Sequence, residues 1–170
     1  MEELASEAGV STSLIYYHFS DRAGVLRQTL EFINDQAGRY AAERDADAPP
    51  LTAREELEQT LLLELQDSPA VRENSAVWGE LRASAVFESD LQEELTKATL
   101  EWDQEVAELL ARIQPLAPVA ACSAAGARLT ALVEGLSVRW LSCSLPLERA
   151  RELLSEAIEV ELARLGTLAG

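Results

Sequence analysis

Apolar positions recur at steps of three and four residues along most of the chain, which is the period of an amphipathic α-helix. No long stretch alternates apolar and polar residues, and Val and Ile are sparse, so strands are not expected. The sequence therefore predicts an all-α fold. In the larger, C-terminal part, the pattern predicts long helices at residues 52–66, 69–87, 89–113, 118–143 and 147–165.

A break near residue 50 separates a short N-terminal unit from this helical body. The stretch DADAPPLTAREE leads through acidic residues and alanines into Pro49 and Pro50, after which Thr52 offers a helix cap. We expect an N-terminal domain at residues 1–46 and a helical domain at residues 51–170.

The N-terminal unit begins with the pattern of two helices joined by a tight turn. Leu4 and Ala8 share a helical face, and Gly9 follows where a left-handed backbone ends a helix at the lowest cost. Ser11 is a good N-cap for a second helix. These features predict a helix-turn-helix.

The second helix of this motif is expected to present aromatic and polar side chains outward. Ile15 and Phe19, four residues apart, form its inner edge, and Ser13 and Tyr17 lie nearly opposite them on a helical wheel. Exposed tyrosines add little to folding, but their hydroxyls contact phosphates and their rings contact thymine methyl groups in the major groove. Asp21 can cap a third helix whose first amides would meet a phosphate.

The stretch LASEAGVSTSLIYYHFSDRAGVL, from Leu4 to Leu26, resembles the DNA-binding region of the tetracycline-repressor (TetR) family of bacterial regulators. The resemblance runs through the Ala-Gly-Val-Ser turn, the aromatic residues and the basic position at residue 22. It implies a regulator, by default a repressor, that binds operator DNA and is released by a small-molecule effector. The residues expected to face DNA are Thr12, Ser13, Leu14, Tyr16, Tyr17, His18 and Arg22.

The charge and the start of the chain support a second hypothesis. The chain has 30 acidic and 14 basic residues, and its charge of −16 should repel nucleic acid from most of its surface. Members of the family carry a helix ahead of this motif, and we expect that helix to be absent here. The alternative function is therefore a dimeric small-molecule-binding protein whose truncated head no longer binds DNA. His18 also has a structural interpretation, as a histidine stacked between helices.

The last two predicted helices carry more apolar surface than one core contact needs. Apolar residues follow steps of four and three on residues 118–143, a second face there is rich in small residues, and residues 147–165 have a widened apolar side. We expect a homodimer joined by these helices, and a monomer that buries both faces is the alternative. The predicted interface residues are Leu129, Leu132, Gly135, Leu136, Leu154, Ile158 and Leu162.

The resemblance also implies an effector pocket within the helical body. A pocket is usually apolar with a few polar groups, although tryptophans at helical positions are more often core residues than pocket walls. Glu134 lies in a helix poor in acids, and it could pair with Arg128 or Arg139 rather than contact a ligand. The candidate pocket residues are Trp78, Arg82, Trp102, Glu134, Arg139 and Trp140.

Other chemistry is not expected. Cys122 and Cys143 fall in one predicted helix, about 31 Å apart at the rise of an α-helix, which excludes a disulfide within the chain. We expect two separate buried thiols, and a disulfide across a dimer is the alternative. His18 is the only histidine and no Gly-rich phosphate loop is evident, so we expect no catalysis, no cofactor and no metal. We find no signal sequence and expect no membrane-spanning run, which predicts a cytoplasmic protein.

Overall fold

The computed structural model describes residues 1–21, 24–25, 28–29 and 50–168. The regular elements within these ranges are α-helices, which confirms the predicted all-α class. Their bounds in the body differ from the predicted ones by at most three residues. The helices are α1 (Glu2–Glu7), α2 (Thr12–Phe19), α3 (Ala53–Leu63), α4 (Pro69–Ala85), α5 (Ser89–Ile113), α6 (Val119–Leu141) and α7 (Leu147–Leu168).

The chain divides into two compact units. The residues around the turn between α4 and α5 belong to the same unit as the N-terminal residues, which the sequence did not predict. The predicted domain division near residues 46–51 falls mostly on residues outside the described ranges and stays a prediction. The first unit consists of Met1–Asp45 and Leu81–Leu95, and the second of Ala46–Glu80 and Thr96–Gly170.

Helix α3 begins where the sequence predicts and ends three residues earlier. Thr52 and Glu55 form a capping box, in which the Thr52 amide donates to the Glu55 carboxylate at 2.8 Å and the Glu55 amide donates to the Thr52 hydroxyl at 3.3 Å. At the other end, Arg151 of α7 donates to the carbonyl oxygens of Leu62 and Leu65, at 3.3 and 2.7 Å. A distant cation thus satisfies carbonyls that a helix end leaves open.

Helix α6 ends two residues before the predicted end at Cys143. The amide of Cys143 donates to the carbonyl of Trp140, and the amide of Ser144 donates to that of Arg139, both at 2.9 Å. These two bonds form a Schellman motif, with Cys143 at φ +59° in the position that glycine usually takes. The prediction of two buried thiols is therefore wrong for Cys143, which is exposed, and correct for Cys122.

One hydrophobic core joins α3, α5, α6 and α7 within the second unit. Gly126 brings α6 close to α5, because a Cβ atom at this position would lie 2.7 Å from the backbone oxygen of Asp103. One turn later, the Thr130 hydroxyl donates to the Asp103 carboxylate. The fully buried residues of this core include Leu57, Leu61, Leu65, Val106, Leu110, Leu129, Leu154, Ile158 and Leu165.

Among the described helices, only α6 is long and apolar enough to be considered as a membrane span. Its length and its mean hydropathy of 1.3 would suffice for a span, so the expectation that no run reaches this level is wrong. Nine of its residues are buried in the protein, however, including Leu129 and Trp140. A core helix that packs on several neighbours has the same composition, and the burial accounts for the apolar sequence.

A two-bond ion pair connects α6 and α7. Arg128 Nε and Nη2 donate to the two carboxylate oxygens of Glu161, each at 2.6 Å. The Glu161 side chain is 11% exposed and that of Arg128 is 41% exposed. The hydrogen bonds from Arg128 lower the pKa of Glu161 below its ordinary value, and they outweigh the opposite effect of burial.

We expect Glu161→Gln to destabilise the protein by roughly 1–2 kcal/mol at pH 7, because Arg128 loses its charged partner. A carboxyl with a depressed folded pKa contributes stability above its ordinary pKa and loses it as the pH falls through the folded pKa. The difference between wild type and variant should therefore shrink on acidification below about pH 4.5. Urea unfolding from pH 7 to pH 3 measures it, with Glu58→Gln, in the more exposed ion pair of Glu58 with Arg54, as control. A difference that is constant with pH would contradict this prediction.

Candidate nucleic-acid interface

The turn between α1 and α2 is set by Gly9. Its backbone has φ +66°, and the amides of Gly9 and Val10 donate to the carbonyls of Ser6 and Ala5 at 3.2 and 3.0 Å. This is a Schellman motif at the C-terminus of α1. The predicted role of Gly9 as the left-handed exit from the first helix is confirmed.

Helix α2 is anchored at its start and on its inner side. Ser11 is the N-cap, and its hydroxyl accepts a hydrogen bond from the Leu14 amide at 3.2 Å. Ile15 is buried, at 4% exposure, and Phe19 is partly buried. The edge formed by Ile15 and Phe19 is thus the packed side of α2, as predicted. The opposite side of the helix therefore faces away from this packing.

The outer side of α2 exposes most of the side chains that were predicted to face DNA. Tyr17 is 82% exposed and Tyr16 46% exposed. His18 is exposed, with its ring edge-on to that of Tyr17 at 5.3 Å between centroids, so the interpretation of a histidine stacked between helices is not supported. Ser13 and Leu14 are also exposed, and Thr12 is partly buried at the first position of α2.

Helix α2 ends in a left-handed residue that is followed by a side-chain cap. Ser20 has φ +64°, and the Asp21 carboxylate accepts a hydrogen bond from the Gly24 amide at 2.7 Å. Residues 24–25 and 28–29 are helical, so Asp21 caps a helical segment as predicted. A Cβ atom on Gly24 would lie inside contact distance of the Phe19 carbonyl. Sequence reasoning missed Gly24, although a glycine three residues after a capping aspartate is a usable signal.

The electrostatics of this surface depend on few cations. Residues 1–21 contain four carboxylates and no Lys or Arg. Arg22, the predicted phosphate contact, lies outside the described residues. Phosphate binding by the described part of the motif would therefore use hydroxyl and amide donors rather than charge.

The predicted effector residues lie at different depths of the helical body. Trp140 is buried in the core, with the guanidinium of Arg72 4.8 Å above its ring, and Trp102 packs against that core. Trp78 and Arg82 on α4 and Glu134 on α6 are partly buried, and Arg139 is exposed. A role for any of them in ligand binding stays a prediction.

A shallow surface groove of about 510 Å³ lies between α3 and α7, and none of the predicted effector residues lines it. Three of its six lining residues are acidic, and Arg151 is already bound to backbone carbonyls. Among the described residues, no group of three or more His, Cys, Asp or Glu side chains could hold a metal ion. The groove is lined by Leu62, Glu148, Arg151, Glu152, Ser155 and Glu156.

Five of the seven predicted dimer residues are core residues of a single chain. They are at most 6% exposed without any partner, so their side chains are already covered. Leu132 is partly buried and Gly135 is exposed. Of the seven residues, these two remain accessible for direct contact with a partner chain. The dimer interface itself stays a prediction. The five core residues are Leu129, Leu136, Leu154, Ile158 and Leu162.

Two family profiles match the chain. Residues 1–29 match the profile of bacterial regulatory proteins of the tetR family, and residues 53–163 match that of the C-terminal part of BetI-type transcriptional repressors. The chain belongs to the TetR family of transcriptional regulators. Among curated protein sequences, none matches the chain.

Solved structures agree with this placement. A protein from Rhodococcus sp. that is assigned to the TetR-family transcriptional regulators is 41% identical, with a TM-score of 0.84 over 95% of this chain and 86% of that one. A transcriptional regulator from Rhodococcus sp. Rha1 is 21% identical, with a TM-score of 0.72 over 96% of this chain and 83% of that one. The second likeness shows a shared fold only.

Proposed function

We propose that this protein is a repressor that binds operator DNA as a homodimer and that a small molecule bound in its helical body releases it. The observation that carries the proposal is the outer face of α2, where Tyr16 and Tyr17 are exposed on a helix anchored by buried Ile15. The protein has no catalytic role in this proposal. Its cytoplasmic location follows from the function and is proposed with it.

The chemistry of the α2 outer face suggests how it reads DNA. This face, from Thr12 to His18, has no Arg, Asn or Gln, the residues that bind guanine or adenine with two hydrogen bonds. Tyr17 and Leu14 offer apolar edges to thymine methyl groups. Ser13 and Tyr16 offer hydroxyl groups that can contact the DNA backbone. Sequence-dependent DNA shape would then supply much of the specificity.

We expect Tyr17→Ala to weaken binding to the operator about tenfold, because losing the recognition of one base pair typically costs roughly 1–3 kcal/mol. Binding to random DNA should change little. The operator is first selected from a random duplex library, and both affinities are then measured at fixed salt concentration. Phe87→Ala is the matched control, since Phe87 is an aromatic residue 89% exposed outside α2. Equal losses on both DNAs would rule out base reading by Tyr17.

The dimer is proposed to form through the exposed faces of α6 and α7. On α6, small residues recur at steps of three and four on the solvent side and would allow close helix approach. On α7, Val160 is 64% exposed in a single chain. Because a two-fold dimer presents two α2 helices, the operator should be nearly palindromic. The exposed α6 positions are Ala120, Ala124, Ala127, Ala131, Gly135 and Val138.

Val138→Arg should raise the dissociation constant of the dimer about tenfold, because it places an unpaired charge in an apolar seam. Val138 is 55% exposed in one chain, so the fold itself should tolerate the change. Sedimentation at several concentrations measures the effect, with Val86→Arg as control because Val86 is 70% exposed away from these helices. A wild-type monomer at micromolar concentration would refute the dimer.

The alternative function is that of a dimeric small-molecule-binding protein that does not bind DNA. The four carboxylates and the absence of Lys and Arg in residues 1–21 favour it. The library selection separates the two functions, because the alternative predicts that no sequence is enriched even at low salt.

A further inference from the structure

Arg139, near the end of α6, carries an exposed charge that no described residue neutralises. The chain has 30 acidic and 14 basic residues, so carboxylates are abundant on its surface. Most arginines of the described chain are bound to a carboxylate or to backbone carbonyls. The guanidinium of Arg139 has neither an ion pair nor a hydrogen bond within the described residues. The bound arginines are Arg54, Arg72, Arg112, Arg128, Arg149 and Arg151.

Arg139 lies on the same face of α6 as the two predicted dimer residues that remain accessible. These two are Leu132 and Gly135, and with Arg128 before them and Arg139 after them the four residues follow steps of four, three and four. Arg128 at one end of this stripe is neutralised within the chain, because Glu161 accepts both of its hydrogen bonds. The charge of Arg139 at the other end is left unmatched by its own chain.

The segment around Arg139 is the exception in a strongly acidic chain. Residues 114–147 contain two arginines and one glutamate, which gives a charge of +1 in a chain of −16. The glutamate, Glu134, is partly buried and has an interaction of its own. The exposed positions of α6 other than the two arginines are neutral, and most are small or apolar. Two copies of an acidic chain repel each other over most of their surface, and this face avoids that repulsion.

We propose that Arg139 binds a carboxylate of a second copy of this chain and so selects that copy as the partner of the α6 face. An arginine that enters an apolar interface unpaired loses its hydration without compensation, whereas a guanidinium and a carboxylate form two parallel hydrogen bonds. A second copy brings 30 acidic residues. A two-fold interface makes each contact twice, so the partner's arginine binds in return. This inference rests on the proposed homodimer and names the charge that holds it together.

Arg139→Gln should raise the dissociation constant of the dimer about tenfold at low salt, because a charged contact across the interface is lost. Arg139→Lys keeps the charge without the two-bond geometry and should recover part of the affinity. Lys97→Gln is the matched control, since it removes one positive charge from an exposed side chain of α5 whose carboxylate partner, Glu101, is 4.0 Å away. It should leave the dissociation constant nearly unchanged. Sedimentation of the full chain at several concentrations measures all four proteins.

Salt concentration separates a direct contact from the general charge of the chain. Salt screens the attraction between Arg139 and a carboxylate, so the ratio of the Arg139→Gln dissociation constant to that of wild type should fall as salt rises. A ratio below about twofold at low salt, the size expected of a solvated charge at the rim, would overturn the inference, and so would an equal ratio for Lys97→Gln. A monomeric wild type refutes the proposed homodimer itself, whereas a wild-type dimer that Arg139→Gln does not weaken refutes only the contact.

Discussion

Gly24→Ala should lower operator affinity about a hundredfold, or about 2.7 kcal/mol. A Cβ atom at this position would lie inside contact distance of the backbone oxygen of Phe19 and 3.0 Å from its carbonyl carbon. Both partners are backbone groups, so no side chain can rotate away. The end of α2 and the helical segment capped by Asp21 must then separate, which moves the face that we propose reads DNA. Operator titration at fixed salt measures the loss.

Gly9→Ala is the matched control within the same motif. Its backbone lies in the left-handed region at φ +66°, but a Cβ atom would have no neighbour within 4 Å. The cost is therefore the conformational one, about 1–2 kcal/mol, without a clash. We expect a clearly smaller loss of operator affinity than for Gly24→Ala. Binding by Gly24→Ala within threefold of wild type would show that α2 tolerates the separation.

Gly126→Val should destabilise the helical body by about 3 kcal/mol. The added atoms meet the Asp103 backbone oxygen at 2.7 Å and the Ala107 amide nitrogen at 3.1 Å, so α6 must move away from α5. Overpacking of this kind costs typically 1–3 kcal/mol. The movement should also weaken the contact between Thr130 and the Asp103 carboxylate. Urea unfolding at one protein concentration measures the change.

Two glycine-to-alanine variants isolate the clash from helix propensity. Alanine favours a helix over glycine by roughly 1 kcal/mol. A Cβ atom on the exposed Gly166 of α7 would meet only the Gln114 side chain, at an ordinary 3.6 Å, so Gly166→Ala should stabilise the protein or leave it unchanged. Gly126→Ala should destabilise it in spite of the same gain in propensity. Equal effects of the two variants would mean that the approach of α6 to α5 adapts freely.

The sequence by itself determined the elements whose physics is local. The cap at Ser11, the left-handed Gly9 and the four-residue spacing of Ile15 and Phe19 act within a few residues, so they predicted the helix-turn-helix and its outer face. The capping box of Thr52 and Glu55 likewise marked the start of α3. The all-α class followed from the period of apolar residues, which depends on the backbone and not on the neighbours of a helix.

The tertiary structure alone decided which apolar face is core. An apolar stripe has the same pattern whether it packs on its own chain or on another, so Leu129 and Leu154 were predicted for a dimer seam and lie in the core. Arg151 ends α3 from more than 80 residues away, and the close backbone approach at Gly24 depends on how two segments meet. The unmatched charge of Arg139 is visible only once its surroundings are known. These features arise from contacts between residues distant in the chain, and no local pattern encodes them.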